Sequence, residues 1–101
     1  MDFKTPSKKG FTVYSKSGCK NCLLVKSLFK SKNFAFKEIN CDEYIIENKQ
    51  NLLLFLNNLA QQKVEFYPAI FYDNKFVGSY SETIKFINEL MESFFDDTFT
   101  F

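Results

Sequence analysis

The chain has no histidine, and only three of its 101 residues are cysteine. A structural zinc site takes four Cys or His ligands, which this set cannot fill, so no metal ligands are assigned. Three cysteines are also too few, and odd in number, for the disulfide framework of a small secreted domain. Charge of one sign is lacking as well: 13 basic and 12 acidic residues leave a formal net charge of +1. So close a balance gives no general attraction for nucleic acid or an anionic membrane, and neither is expected as a partner. Long apolar runs are missing too. The longest, Leu52 to Leu56, falls far short of the roughly 20 residues that span a bilayer. Residues 1–9 carry Lys4, Lys8 and Lys9 but lead into no apolar stretch of signal-peptide length. The expected compartment is therefore the cytoplasm.

What is present suits one soluble α/β domain. Hydrophobic residues make up 46% of the chain, enough for a single core but not for two. Phe is abundant at 14, so that core is expected to pack through aromatic rings. Phe11 to Tyr14 is β-branched and aromatic between Gly10 and a Ser-Lys-Ser-Gly loop, and reads as a buried strand. From Cys19 to about Lys32, Leu23, Leu24, Leu28 and Phe29 fall at helical spacing, with Ser17 and Gly18 as cap candidates. Phe34 to Ile39 suits a second strand. Cys41-Asp42-Glu43 opens a second helix whose apolar face is Tyr44, Ile45, Leu52, Leu53, Leu56 and Leu59, with acids in the first turn where the dipole favours them.

After a polar connection, Pro68 precedes a third strand, Ala69 to Tyr72. Asp73-Asn74-Lys75 turns the chain into Phe76-Val77, which ends at Gly78. Ser81 with Glu82 resembles a helix N-cap, followed at helical spacing by Ile84, Ile87, Leu90, Met91 and Phe94. Residues 1–101 thus read as a single domain with short tails at 1–9 and 96–101. The order βαβαββα implies a four-stranded mixed sheet flanked by helices on both faces. Cys41 reads as a buried apolar cysteine. The acidic and aromatic stretch after Phe95 reads as a frayed tail or a helix extension.

Cys19-Lys20-Asn21-Cys22 is the chemical signal. A Cys-x-x-Cys beside a βαβ pattern points to a thioredoxin-like redox fold. Cys19 would stand at the open start of a helix, where unpaired N–H groups and the dipole stabilise a negative sulfur, with Lys16 and Lys20 adding positive charge. A free thiol of pKa ~8.5 is a few per cent thiolate at pH 7, whereas dithiol oxidoreductases range down to ~3.5. Full ionisation gains ~30-fold in active species, but a Brønsted slope of ~0.4–0.5 over ~4 units loses ~40–100-fold in nucleophilicity. The two nearly cancel. The larger benefit is a good leaving group, so Cys19 is suited to turning over a mixed disulfide. Cys22, one helical turn on and less exposed, would resolve it.

Three separated motifs now line up in order. Val13 to Cys22, then Phe66-Tyr67-Pro68-Ala69-Ile70-Phe71, then Val77-Gly78-Ser79-Tyr80-Ser81-Glu82 resemble the strand–dithiol, Thr-Val-Pro and Gly-Gly segments of the glutaredoxins. The resemblance covers nearly the whole chain. It implies a thioredoxin-like glutaredoxin fold and a thiol–disulfide oxidoreductase that reduces protein disulfides and glutathione mixed disulfides and is recharged by glutathione. It further implies that Lys16 meets the glycine carboxylate of glutathione and that the backbone of Tyr67, before a cis Pro68, pairs with the cysteinyl moiety. Ser81 and Glu82, following Gly78, would hold the γ-glutamyl group. Ser79 replaces the second glycine, Glu82 the usual Asp, Tyr67 the usual Val, and Lys20-Asn21 the usual Pro-Tyr.

Two other functions fit the same motifs. One is a binding module in which two subunits and two glutathiones share a [2Fe–2S] cluster; the protein is otherwise expected to be a monomer. The other is a thioredoxin-like electron donor to a specific partner such as ribonucleotide reductase.

Overall fold

Phe11–Ser15 (β1) is buried at all five positions, and the other elements are arranged around it. The computed structural model describes residues 2–99, with side chains from 2 to 92. After β1 come α1 (Lys20–Ser31), β2 (Phe36–Asn40), α2 (Asp42–Ala60), β3 (Ala69–Tyr72), β4 (Lys75–Gly78) and α3 (Tyr80–Phe99). This is the expected βαβαββα order.

The four strands form one mixed sheet in the order β2-β1-β3-β4. β1 runs parallel to β2, from Phe11 opposite Phe36 to Ser15 opposite Asn40. On its other edge it is antiparallel to β3, with Phe11 opposite Tyr72 and Tyr14 opposite Ala69. Asp73 and Asn74 both have positive φ (50° and 70°), the backbone of a tight two-residue hairpin that leads into antiparallel β4. Asp73 also ties that hairpin to the start of β1, accepting the Gly10 N–H at 2.7 Å through its side chain.

Strand side chains alternate between faces, and each face has its own core. Phe11, Val13 and Ile70 pack with Val25 and Phe29 of α1 and Ile87 of α3. Tyr14, Ile39, Ala69 and Phe71 pack with Leu52, Leu56 and Ala60 of α2 on the opposite face. Rings dominate the first core, as the phenylalanine content predicts: Phe11 has Phe29 at 4.5 Å and Tyr72 at 4.6 Å between centroids. The residues before β1 pack as well. Phe3 lies against Tyr44 and Phe55, and the Tyr14 hydroxyl donates to the Lys4 carbonyl at 2.7 Å. Among the described residues no helix is long and apolar enough to cross a membrane.

The structure corrects several local expectations. α1 buries Cys22, Val25 and Phe29, while Leu23 is 64% exposed and Leu24 37%. Cys22, Val25 and Phe29 stand at i, i+3 and i+7 and form the face toward the sheet, which leaves the two leucines off it. β2 begins at Phe36 rather than Phe34. α2 is broken at Asn48 (φ −158°, ψ 68°), because the Asn48 side chain caps the segment after it, accepting the Asn51 N–H at 3.3 Å. α3 runs to Phe99, past the point where its apolar spacing ends. Side chains beyond residue 92, including those of the 96–101 segment, lie outside the described residues.

The cores make a direct prediction. Leu52→Ala, at a fully buried position, is expected to cost about 2–5 kcal/mol in denaturant unfolding. Leu54→Ala, on a side chain 60% exposed on the same helix, should stay within about 0.5 kcal/mol.

Candidate active site

Registry brings the three motifs to one end of the sheet. The chain leaves β1 through Ser15 into the Lys16–Cys19 loop. It enters β3 beside that point, since Tyr14 pairs with Ala69 and is followed across the sheet by Pro68 and Tyr67. Gly78, opposite Ile70, closes β4 on the next strand over. The Tyr67–Pro68 peptide is cis.

Cys19 is the N-cap of α1, in place of the expected Ser17 or Gly18. Its backbone is extended (φ −105°, ψ 104°), and its Sγ accepts the Cys22 N–H at 3.1 Å. That is the bond a serine or aspartate makes as a cap, so a thiolate here gains a charge-assisted partner and the positive end of the helix. The first turn of α1 holds no acid to oppose this. Cys19 is half-buried, whereas Cys22 is 1% exposed. The two are joined as a disulfide, with their Cα atoms 5.2 Å apart. Lys16, Cys19 and Cys22 line one cleft of about 450 Å³. Within it, Lys26 donates to Glu38 at 2.8 Å, and this bond, with one from the Ser15 hydroxyl, holds the Glu38 carboxyl below its ordinary range.

Ser17 has a different task from capping. Its N–H donates to Asp42 Oδ1 at 2.8 Å and its hydroxyl to the other Asp42 oxygen. These bonds, the hydroxyl's first, hold the Asp42 carboxyl below its ordinary range. The contact was legible in principle. β1 and β2 are parallel with Ser15 opposite Asn40, so the residues two further on in each loop stand side by side. Behind this loop Cys41 is buried as expected, its thiol pushed up to about 12 first by burial and then by the nearby Asp42.

The remaining site residues form a second group at the start of α3. The N-cap is Ser79, not Ser81: the Ser79 N–H donates to Glu82 Oε1 at 2.8 Å, and the Ser81 hydroxyl donates to Oε2 at 2.8 Å. Ser79-Tyr80-Ser81-Glu82 is a capping-box spacing, and that signal was in the sequence. These bonds, the Ser79 N–H first, hold the Glu82 carboxyl below its ordinary range. Gly78 has φ +137°, and a Cβ there would stand 2.5 Å from Glu82 Cβ. Gly78, Ser79 and Glu82 line a groove of about 360 Å³ with Val64, Glu65 and Phe66. Tyr67 and Pro68 lie between the groups in sequence, Pro68 buried and Tyr67 half-buried beneath Lys16, whose Nζ is 5.3 Å from the ring centroid. A larger cavity of about 670 Å³ along β4 and α3 includes neither cysteine. Among the described residues no three His, Cys, Asp or Glu side chains gather in a metal-binding group.

Two variants test this geometry. A carboxyl held low in the folded state stabilises above its unfolded pKa, and the gain is lost as pH falls through the folded value. Asp42→Asn should therefore flatten the acid limb of a stability–pH curve below about pH 4, where an ordinary Asp titrates, and leave the alkaline limb unchanged. Gly78→Ala should destabilise by more than about 1 kcal/mol, since neither its φ nor its space suits a side chain.

Known proteins agree with this geometry. A glutaredoxin family model matches residues 11–77. Glutaredoxin-2 of Schizosaccharomyces pombe is 30% identical over 82 residues, covering 81% of this chain and 71% of the relative. Glutaredoxin 1 from Francisella tularensis, solved with cacodylate, superposes with a TM-score of 0.70 at 23% identity over 81% of this chain and 95% of that one. A buckwheat glutaredoxin–glutathione complex superposes at 0.64 with 22% identity, over 79% and 69%. The chain belongs to the glutaredoxin family and is a thiol–disulfide oxidoreductase whose redox-active pair is Cys19 and Cys22.

Proposed function

We propose that the enzyme uses glutathione as its electron donor, reducing protein disulfides and glutathione mixed disulfides, with Cys19 as nucleophile and Cys22 as resolving thiol. The asymmetry of the pair carries this reading. Cys19 is the half-buried cap whose sulfur accepts an N–H, and Cys22 is the buried residue behind it. On a protein disulfide, the Cys19 thiolate attacks one sulfur and a protein thiolate leaves. Cys22 then attacks the mixed disulfide, releasing the second protein thiolate and closing Cys19–Cys22. Two glutathiones return the pair to the dithiol and leave as glutathione disulfide. A glutathionylated substrate needs Cys19 alone: Cys19 takes the glutathionyl sulfur, the protein thiolate leaves, and a second glutathione regenerates the thiolate.

Three observations support glutathione as the donor. Lys16 stands free at the dithiol cleft for a carboxylate, the backbone of Tyr67 enters β3 beside it, and the start of α3 opens on the neighbouring groove. A structural neighbour was solved with glutathione bound. The reading places the enzyme in a reducing, glutathione-containing compartment, the cytoplasm.

The test is glutathione-coupled turnover of a small glutathione mixed disulfide and of a protein disulfide. Cys19→Ser should abolish both. Cys22→Ser should keep deglutathionylation and lose protein-disulfide reduction. Activity of Cys19→Ser on either substrate, or efficient recharging by thioredoxin reductase in place of glutathione, would overturn the assignment.

A further inference from the structure

Tyr67 stands where the glutaredoxin segment usually has Val, and its ring lies under the Lys16 ammonium. Lys16 leaves β1 on an exposed loop, where an unbranched side chain has many rotamers. Its Nζ nevertheless lies 5.3 Å from the Tyr67 ring centroid, inside the roughly 6 Å range of a cation–π contact. The ring is itself held in place: Tyr67 packs on the core formed by Tyr14, Cys41, Leu52 and Phe71.

Resting on the glutathione reading, we propose that Tyr67 is a positioning residue that holds the Lys16 ammonium at the mouth of the dithiol cleft, where it meets a substrate carboxylate. The charges around Lys16 suit this role. Asp42, the acid near it, is already engaged by the Ser17 N–H and hydroxyl, and among the described residues Lys16 makes no ion pair. Of the other two lysines lining the cleft, Lys26 is bound to Glu38, and Lys20 at the start of α1 has no aromatic ring beneath it among the described residues. Lys16 therefore offers its charge to the ligand, and Tyr67 fixes where it is offered. Burial pushes the Tyr67 phenol up to about 12, with the neighbouring Cys41 adding to the shift. The ring stays neutral across the working range, and it attracts Lys16 through its π face rather than as a phenolate. The hydroxyl is thus dispensable and the ring is not.

The experiment compares the full-length enzyme with Tyr67→Phe, Tyr67→Leu, Lys16→Gln and the Lys16→Gln/Tyr67→Leu double variant in turnover of a glutathione mixed disulfide. Tyr67→Phe, which keeps the ring, should stay well above Tyr67→Leu in kcat/KM. Tyr67→Leu should raise KM about two- to fivefold with kcat unchanged, the worth of an exposed cation–π contact. In the Lys16→Gln background the same leucine should change nothing further, because the contact it removes is already gone. The Lys16 ε-methylene protons should show an upfield ring-current shift in wild type and Tyr67→Phe that vanishes in Tyr67→Leu, a readout independent of glutathione and of folding yield. Full additivity of the two substitutions, loss of function in Tyr67→Phe equal to that in Tyr67→Leu, or absence of the ring-current shift in wild type would overturn the positioning role while leaving the glutathione reading standing. A wild-type enzyme that does not turn over the mixed disulfide sinks both.

Discussion

β1 is enclosed on every side. Both faces are covered by helices and both edges are bonded, to β2 in parallel and to β3 in antiparallel. A strand so placed cannot slip: a shift of one residue would exchange Phe11 and Val13 for Thr12 and Tyr14 between the two cores. With its register fixed, the points where β1 ends, β2 ends and β3 begins are fixed relative to one another. The dithiol loop, Asp42 and Tyr67 all hang from those points. Tertiary packing of one five-residue strand therefore sets the distances of the site.

Around that frame the electrostatics follow a division of labour. The helix start, the Cys22 N–H and the absence of acids in the first turn of α1 all favour negative charge at one atom, the sulfur of Cys19. Acids that come close are committed elsewhere: Glu38 to Lys26 and Ser15, Asp42 to Ser17, Glu82 to Ser79 and Ser81. Cys41 also stands at a helix start, as the N-cap of α2, but its sulfur takes no cap hydrogen bond, Asp42 and Glu43 follow in the first turn, and it is fully buried. Two cysteines at helix starts thus differ in chemistry because one sulfur accepts a backbone N–H at the edge of a cleft and the other is buried without such a bond beside two acids.

Much of this was legible in the sequence. The order of elements, the hairpin at Asp73-Asn74, the burial of Cys41 and the inequality of Cys19 and Cys22 follow from local pattern and turn chemistry. The face of α1 did not, because leucine is the natural choice for a core and Cys22 is not. The buried positions Cys22, Val25 and Phe29 stand at i, i+3 and i+7, and that face leaves Leu23 and Leu24 to the side. The break at Asn48 was hidden inside a run that satisfies helical spacing on both sides, and the only sign was an asparagine able to cap. The Ser17–Asp42 contact joins residues 25 apart in sequence and emerges only once two strands are known to be parallel. The replacement of Val by Tyr67 was visible, but the contact of its ring with Lys16, on a separate loop, was not.

The two positions of the Gly-Gly motif also separate. Gly78 has a backbone angle of +137° and faces the Cβ of Glu82, so every L-residue at 82 would crowd a side chain at 78, whatever its polar group. Ser79 has no positive φ and serves as an ordinary cap. Over evolutionary time the first position is therefore closed to drift, and the second is open to any residue that can begin a helix. A lineage can lose half of this signature without losing the turn that the signature marks.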